Sequence, residues 1–129
     1  MLTLISWTFV VWGWMYATRL PAMRRARVDA RKIQQASELN VLPIEVQRIA
    51  HNYNHLHEQP TVFYALVIYC HLAGAADPVN VSLAWAYVAL RVLHSLIQIL
   101  WNFVPVRFVV FVLSSITLMA ITVRAVLAL

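Results

Sequence analysis

Arg48-Ile49-Ala50-His51-Asn52-Tyr53-Asn54-His55-Leu56-His57-Glu58-Gln59-Pro60 is a polar stretch that runs directly into the apolar Thr61–Ala76. Three of the chain's five histidines and one of its five acids lie in it. At helical spacing His51, Asn54, His55 and Glu58 fall on one face over about two turns. A second stripe, Arg91, His94, Ser95, Gln98 and Asn102, follows the same spacing inside an apolar segment further on. Two polar stripes in hydrophobic surroundings need each other or a common occupant.

Those surroundings are set by composition. The 129 residues are 62% hydrophobic with a mean hydropathy of +0.71, well above the ~45–50% apolar content of soluble domains. This is the composition of an integral membrane protein, and at about 20 residues per span the chain accommodates four helices in one domain, 1–129. A transmembrane barrel needs alternating strands with frequent turns, whereas this chain has two glycines and long unbroken apolar runs. The fold class is all-α, with helices expected at about 2–20, 43–75, 81–103 and 106–127.

The net charge of +5 does not describe a nucleic-acid surface, because six of the ten Lys and Arg residues cluster between Arg19 and Lys32, directly after the first apolar run. By the positive-inside rule that block is a cytoplasmic loop against anionic headgroups, which puts both termini outside. The uncharged Leu2–Thr18, rich in Trp and Tyr, has the reverse charge order of a signal peptide and reads as an anchor ended by Pro21. Cys70 is the single cysteine, so no internal disulfide or thiolate metal cage forms; within an apolar run it reads as a small buried hydrophobe.

From Pro43 to about Ala73 the second helix is roughly thirty residues, or ~45 Å, longer than the ~30 Å hydrocarbon core. It therefore projects into the cytoplasm, with a kink expected at Pro60. Gly74–Asn80 makes the outer turn, with Asp77 as helix cap. Arg91, near the middle of the third helix, must face the bundle interior, and Glu58 is the acid expected to partner it. Phe103–Arg107 turns the chain on the cytoplasmic side, and Arg124 near the far end of the last helix is expected to snorkel.

The unexplained polarity gathers on the cytoplasmic half. Arg48, Arg91 and Arg107 outnumber Glu58, a balance that suits an anionic ligand carrying one cationic group, and glutathione has that pattern. Phospholipid headgroups and nucleotides satisfy it as well, and polar residues also serve as interhelical glue. No metal is expected: His51 and His55 at i, i+4 lack the glutamate of a zinc hydrolase motif. A proton-coupled exporter would need an acid deep in the membrane, and the first and last helices carry none.

Two motifs resemble the membrane-associated proteins in eicosanoid and glutathione metabolism, the MAPEG family. One is Arg48–Pro60; the other is Arg91-Val92-Leu93-His94 followed by Val104-Pro105-Val106-Arg107. The resemblance implies a membrane-embedded four-helix bundle that forms homotrimers and binds glutathione between subunits near the cytoplasmic face. It implies transfer of glutathione to lipophilic electrophiles, or reduction of lipid hydroperoxides. Arg107 would act at the sulfur, while Arg91, His94, Glu58 and Asn54, with Arg48, His51 and Gln98, would hold glutathione.

The chain also departs from that pattern. Asn54 and Glu58 are four apart rather than three, so either Asn54 or His55 fills the family's Asn position. Gln98 stands where eicosanoid-type members resemble one another in having a tyrosine, and Phe108 follows Arg107 where one branch has a serine. A non-catalytic bundle that binds a lipid or another anion is the alternative expectation.

Overall fold

The computed structural model describes residues 1–129 and contains helices and turns but no strand. Five helices follow one another: α1 (Leu2–Arg25), α2 (Ile44–His55), α3 (Gln59–Leu72), α4 (Pro78–Leu96) and α5 (Val104–Leu127). A π-helical turn, Ile97–Trp101, extends α4. Two short 3-10 turns, Ala30–Lys32 and Ala36–Val41, lie in the segment between α1 and α2.

The boundaries depart from expectation at two prolines. Pro21 does not end α1, which continues to Arg25. One proline removes a single backbone donor, and the Ala-Met-Arg-Arg that follows is made of strong helix formers. The expected single helix from 43 to 75 is instead two helices, broken at Leu56–Glu58. There the backbone tightens to i→i+3 bonds, His57 N–H to Asn54 O at 3.0 Å and Glu58 N–H to His55 O at 3.2 Å. The break places Pro60 in the first turn of α3, where its missing N–H costs nothing.

The remaining junctions follow local chemistry. After α3, Gly74 takes a left-handed φ of +67°, and Ala75 N–H reaches back to Cys70 O at 2.8 Å while Gly74 N–H bonds His71 O. That pairing satisfies the last carbonyls of α3. Asp77 caps α4 as expected, accepting from Asn80 N–H at 2.7 Å. Arg124 does more than snorkel: its guanidinium donates to Asp77 at 2.7 Å and to Asn80 Oδ1 at 2.8 Å, tying the end of α5 to the start of α4.

α4 and α5 pack along each other, and α1 lies against α2 and α4. Leu4, Val11 and Met15 of α1 meet Ile49, Leu56, Phe63, Tyr87, Val88 and Leu118 in the main core. Phe63 and Tyr87 stack with centroids 4.4 Å apart. Cys70 is buried beside Ile121 and Ala125, in the hydrophobic role its context suggests.

Bulky apolar side chains lie on the outside of the bundle as well as in its core. On α5 the buried positions include Ser114 and Thr117, whereas Phe108, Ile116 and Met119 are more than half exposed. Small hydroxyls between helices and bulky apolar side chains outside are the arrangement that lipid favours. α4 with its π-helical extension (Pro78–Trp101) and α5 (Val104–Leu127) are each long and apolar enough to cross a membrane.

Candidate functional site

The two polar stripes meet, but not as spacing alone suggests. Arg91 is 2% exposed, and its partner is not Glu58. One terminal nitrogen donates to the backbone carbonyl of His55 at 3.3 Å and the other to Gln59 Oε1 at 3.5 Å. Its Nε has no partner, and the guanidinium carbon lies 5.7 Å from the ring centroid of Phe111. His55 is the last residue of α2, so the counter-charge that Arg91 finds is the negative end of a helix. Glu58 is displaced by the break in the chain. Its side chain is 65% exposed and pairs with His55 Nδ1 at 3.1 Å.

Gln59, which the polar stripe passes over, organises this region. Its amide nitrogen donates to Ser115 Oγ at 2.8 Å, while its oxygen accepts from Arg91 and, at 3.4 Å, from Tyr87. Helices α3, α4 and α5 are joined there by one side chain.

Beside this buried cluster lies an open cavity of about 200 Å³, lined by His55, His94, Val104, Arg107, Phe108 and Phe111. The His94 ring is 6.1 Å from those of both His55 and Phe111. Arg107 is held by Asn102 Oδ1 at 2.6 Å. Asn102 takes a left-handed φ of 55° to end the π-helical turn, and the N-terminus of α5 begins two residues later. The positive end of α5, Arg107 and the two imidazoles surround the cavity, while Glu58, the nearest acid in the sequence, pairs with His55 at its edge. No hydroxyl lines it.

The other residues singled out from sequence lie elsewhere. Gln98 is buried and accepts from Asn52 Nδ2 at 3.0 Å. Asn52, 1% exposed, also accepts a short hydrogen bond from the Ser95 hydroxyl, and Ser95 Oγ accepts from Trp7 Nε1 at 2.9 Å. This relay joins α1, α2 and α4 through their interior. Asn52 was legible in one respect: it sits three residues after Ile49 and four before Leu56, on the apolar face of α2. His51 and Asn54 point to a different pocket, shared with Arg19 of α1. Arg48 is partly buried and its Nε has no partner. No cluster of metal-ligating side chains occurs.

An all-helical bundle with apolar outer faces, a few buried polar groups between its helices and a cavity that carries Arg107 at one end defines a helical membrane protein. The chain belongs to the MAPEG family, whose family model matches residues 1–127. No curated protein and no solved structure gives a significant match to the chain.

Proposed function

We propose that the protein is a membrane-bound, glutathione-dependent transferase or peroxidase acting on lipophilic electrophiles or hydroperoxides. The observation that carries this reading is the cavity between His55, His94 and Arg107, cationic on its walls with one acid at its edge. Glutathione offers two carboxylates, one ammonium and a thiol. Arg107 and the positive end of α5 suit the thiolate, the reactive form, by opposing its charge. Glu58 suits the ammonium, and Arg91 polarises the site from beneath. In transfer, the thiol proton goes to solvent and the thiolate forms a C–S bond to the electrophilic carbon. That carbon's bond to its leaving group breaks, the leaving group departing with the electron pair, or a π bond opens and its carbon takes up a proton. In hydroperoxide reduction the thiolate takes the outer oxygen to give a sulfenic acid and, with a proton, an alcohol. A second glutathione thiol then converts the sulfenic acid to the disulfide and water.

A volume of about 200 Å³ is below the roughly 300–1,000 Å³ of sites that enclose a ligand. A second wall is needed, and we assign it to a neighbouring copy in a homotrimer. Phe108, exposed in the cavity wall, and the exposed Leu100, Trp101 and Phe103 of the preceding turn fit such a neighbour or the lipid from which a substrate enters. In this reading the basic segment after α1 lies on the cytoplasmic side with both termini opposite. Gln98 then supports the site indirectly, through its bond to Asn52, while His51 and Asn54 face the separate pocket beside Arg19 and do not contact the sulfur.

A second reading rests on the missing hydroxyl. With Gln98 turned inward to Asn52 and Phe108 at the cavity edge, only a cation opposes the sulfur, and a non-catalytic bundle that holds a lipid or another anion is the alternative. Thermal unfolding of the detergent-solubilised protein under glutathione titration tests both. Ligand at a hundred times its dissociation constant adds about 2.7 kcal/mol to the native state. Saturable stabilisation that Arg107→Ala weakens, together with glutathione-dependent turnover, is the expected result. Stabilisation without turnover favours the second reading, and no stabilisation at millimolar glutathione removes the co-substrate.

A further inference from the structure

We propose that the pocket between Arg19 on α1 and His51 and Asn54 on α2 binds the phosphate group of a membrane phospholipid. The pocket encloses about 180 Å³ and is walled on its third side by the Ala36–Val41 turn. That wall is fixed: the Gln47 amide donates to Asn40 O at 3.0 Å and Leu42 O at 2.7 Å. Its lining holds the Arg19 guanidinium, the His51 imidazole, the carboxamides of Asn40 and Asn54 and the Ser37 hydroxyl, which makes a long bond of 3.4 Å to Gln35, but no carboxylate. Glu38, within the same turn, faces away and accepts from the backbone N–H groups of Gln34 and Gln35.

Arg19 is the unsatisfied member. Its Nε is buried without a partner, and its one side-chain hydrogen bond is a weak one, to Met15 Sδ at 4.0 Å. A guanidinium has five donors in a planar fork suited to an oxyanion, and phosphate matches that fork. The pocket therefore has the donors for a phosphate and nothing to repel it.

The neighbouring groove selects the source. Ala17, Pro21, Ala22, Val41 and Pro43 line a largely apolar groove of about 580 Å³ on the other side of Val46, which borders both spaces, and Arg25 stands in its wall. A polar anion seat beside an apolar groove fits a molecule with a phosphate and a hydrocarbon tail. The adjoining Arg24 and Arg27 are exposed, the composition of a segment at anionic headgroups.

The test uses the full-length protein in non-ionic detergent, with thermal unfolding followed as phosphatidic acid, diacylglycerol, glycerol phosphate or glutathione is titrated. Phosphatidic acid is expected to stabilise saturably and diacylglycerol not. Arg19→Gln and Asn54→Asp are expected to weaken the phosphatidic acid effect about tenfold or more, as loss of a charge-assisted bond or added repulsion requires. Arg31→Gln, an exposed basic position outside the pocket, is expected to bind as wild type. Equal weakening by Arg31→Gln overturns the proposal in favour of diffuse charge, as does unchanged binding in Arg19→Gln. If Arg19→Gln does not fold, Asn54→Asp at its exposed position decides alone. Glycerol phosphate as potent as phosphatidic acid overturns the lipid source. Glutathione that displaces phosphatidic acid competitively overturns the separateness of the pocket.

Discussion

The guanidinium of Arg91 donates to the backbone carbonyl of His55 across 3.3 Å, so a buried cation of α4 closes the C-terminal end of α2. Removing it leaves that carbonyl and Gln59 Oε1 without their donors and opens a cavity among Tyr87, Gln59 and Phe111. Arg91→Ala is expected to lower stability by about 2–5 kcal/mol, the range for emptying a packed site and orphaning its partners. Because the acceptor is the main chain, His55→Ala keeps the bond and costs far less. Chemical unfolding in detergent compares the two; equal losses would show that the His55 ring, not its carbonyl, holds Arg91.

Asn52 is the hinge of the Trp7–Ser95–Asn52–Gln98 relay, accepting from one side and donating to the other. Asn52→Ala leaves Gln98 Oε1 without its donor and the Ser95 O–H without its acceptor, at a cost of about 1–3 kcal/mol, while Ser95 Oγ still accepts from Trp7. A double-mutant cycle with Ser95→Ala is expected to give a coupling of about 0.5–2 kcal/mol, within the range of polar contacts in membrane bundles. Additive losses would mean that the two residues do not communicate.

Why Asn52 escapes the sequence reading while Arg91 does not is a matter of what each pattern encodes. A charge in the middle of an apolar helix has nowhere to go but inward, so hydropathy alone places Arg91 in the interior, where it is 2% exposed. The spacing of polar residues alone marks a stripe through His51, Asn54 and Glu58, but water accommodates all three. Asn52 was hidden by its apolar neighbours, which in fact mark the buried face. The all-α class followed from long apolar runs, but the break at Leu56–Glu58 did not, since a proline two residues later is compatible with either a kink or a fresh start. That choice moved Glu58 off the face of α2 and gave Arg91 a helix end as its partner.

Asp77 lies outside the apolar spans, and its carboxyl is held below the ordinary carboxylate range by the backbone N–H of Asn80 and, further, by the Arg124 guanidinium. A depressed folded-state value means that the contribution is fully present above the unfolded carboxylate range and is lost as pH falls through the folded one. Asp77→Asn keeps a capping oxygen but removes the charge. On lowering the pH from 5 to 3, the melting temperature of wild type is expected to fall more than that of Asp77→Asn. Parallel curves would show that the pair with Arg124 adds nothing beyond the cap.

Arg107 is positioned by a residue whose backbone conformation is itself unusual. Asn102 combines a φ of 55° with a side chain that accepts from Arg107 at 2.6 Å, and two substitutions separate these properties. Glycine tolerates the left-handed conformation, so Asn102→Gly is expected to fold near wild type while freeing the guanidinium. Alanine is strained there by about 1–2 kcal/mol, so Asn102→Ala is expected to lose stability as well. If Arg107 must be held to oppose the thiolate, both variants weaken glutathione binding by a similar factor, about tenfold for one charge-assisted bond. Dissociation constants from glutathione-dependent unfolding, read beside the unliganded melting temperatures, resolve the two effects. Wild-type affinity in Asn102→Gly would mean that Arg107 finds the ligand without its anchor, leaving Asn102 to serve only the turn between α4 and α5.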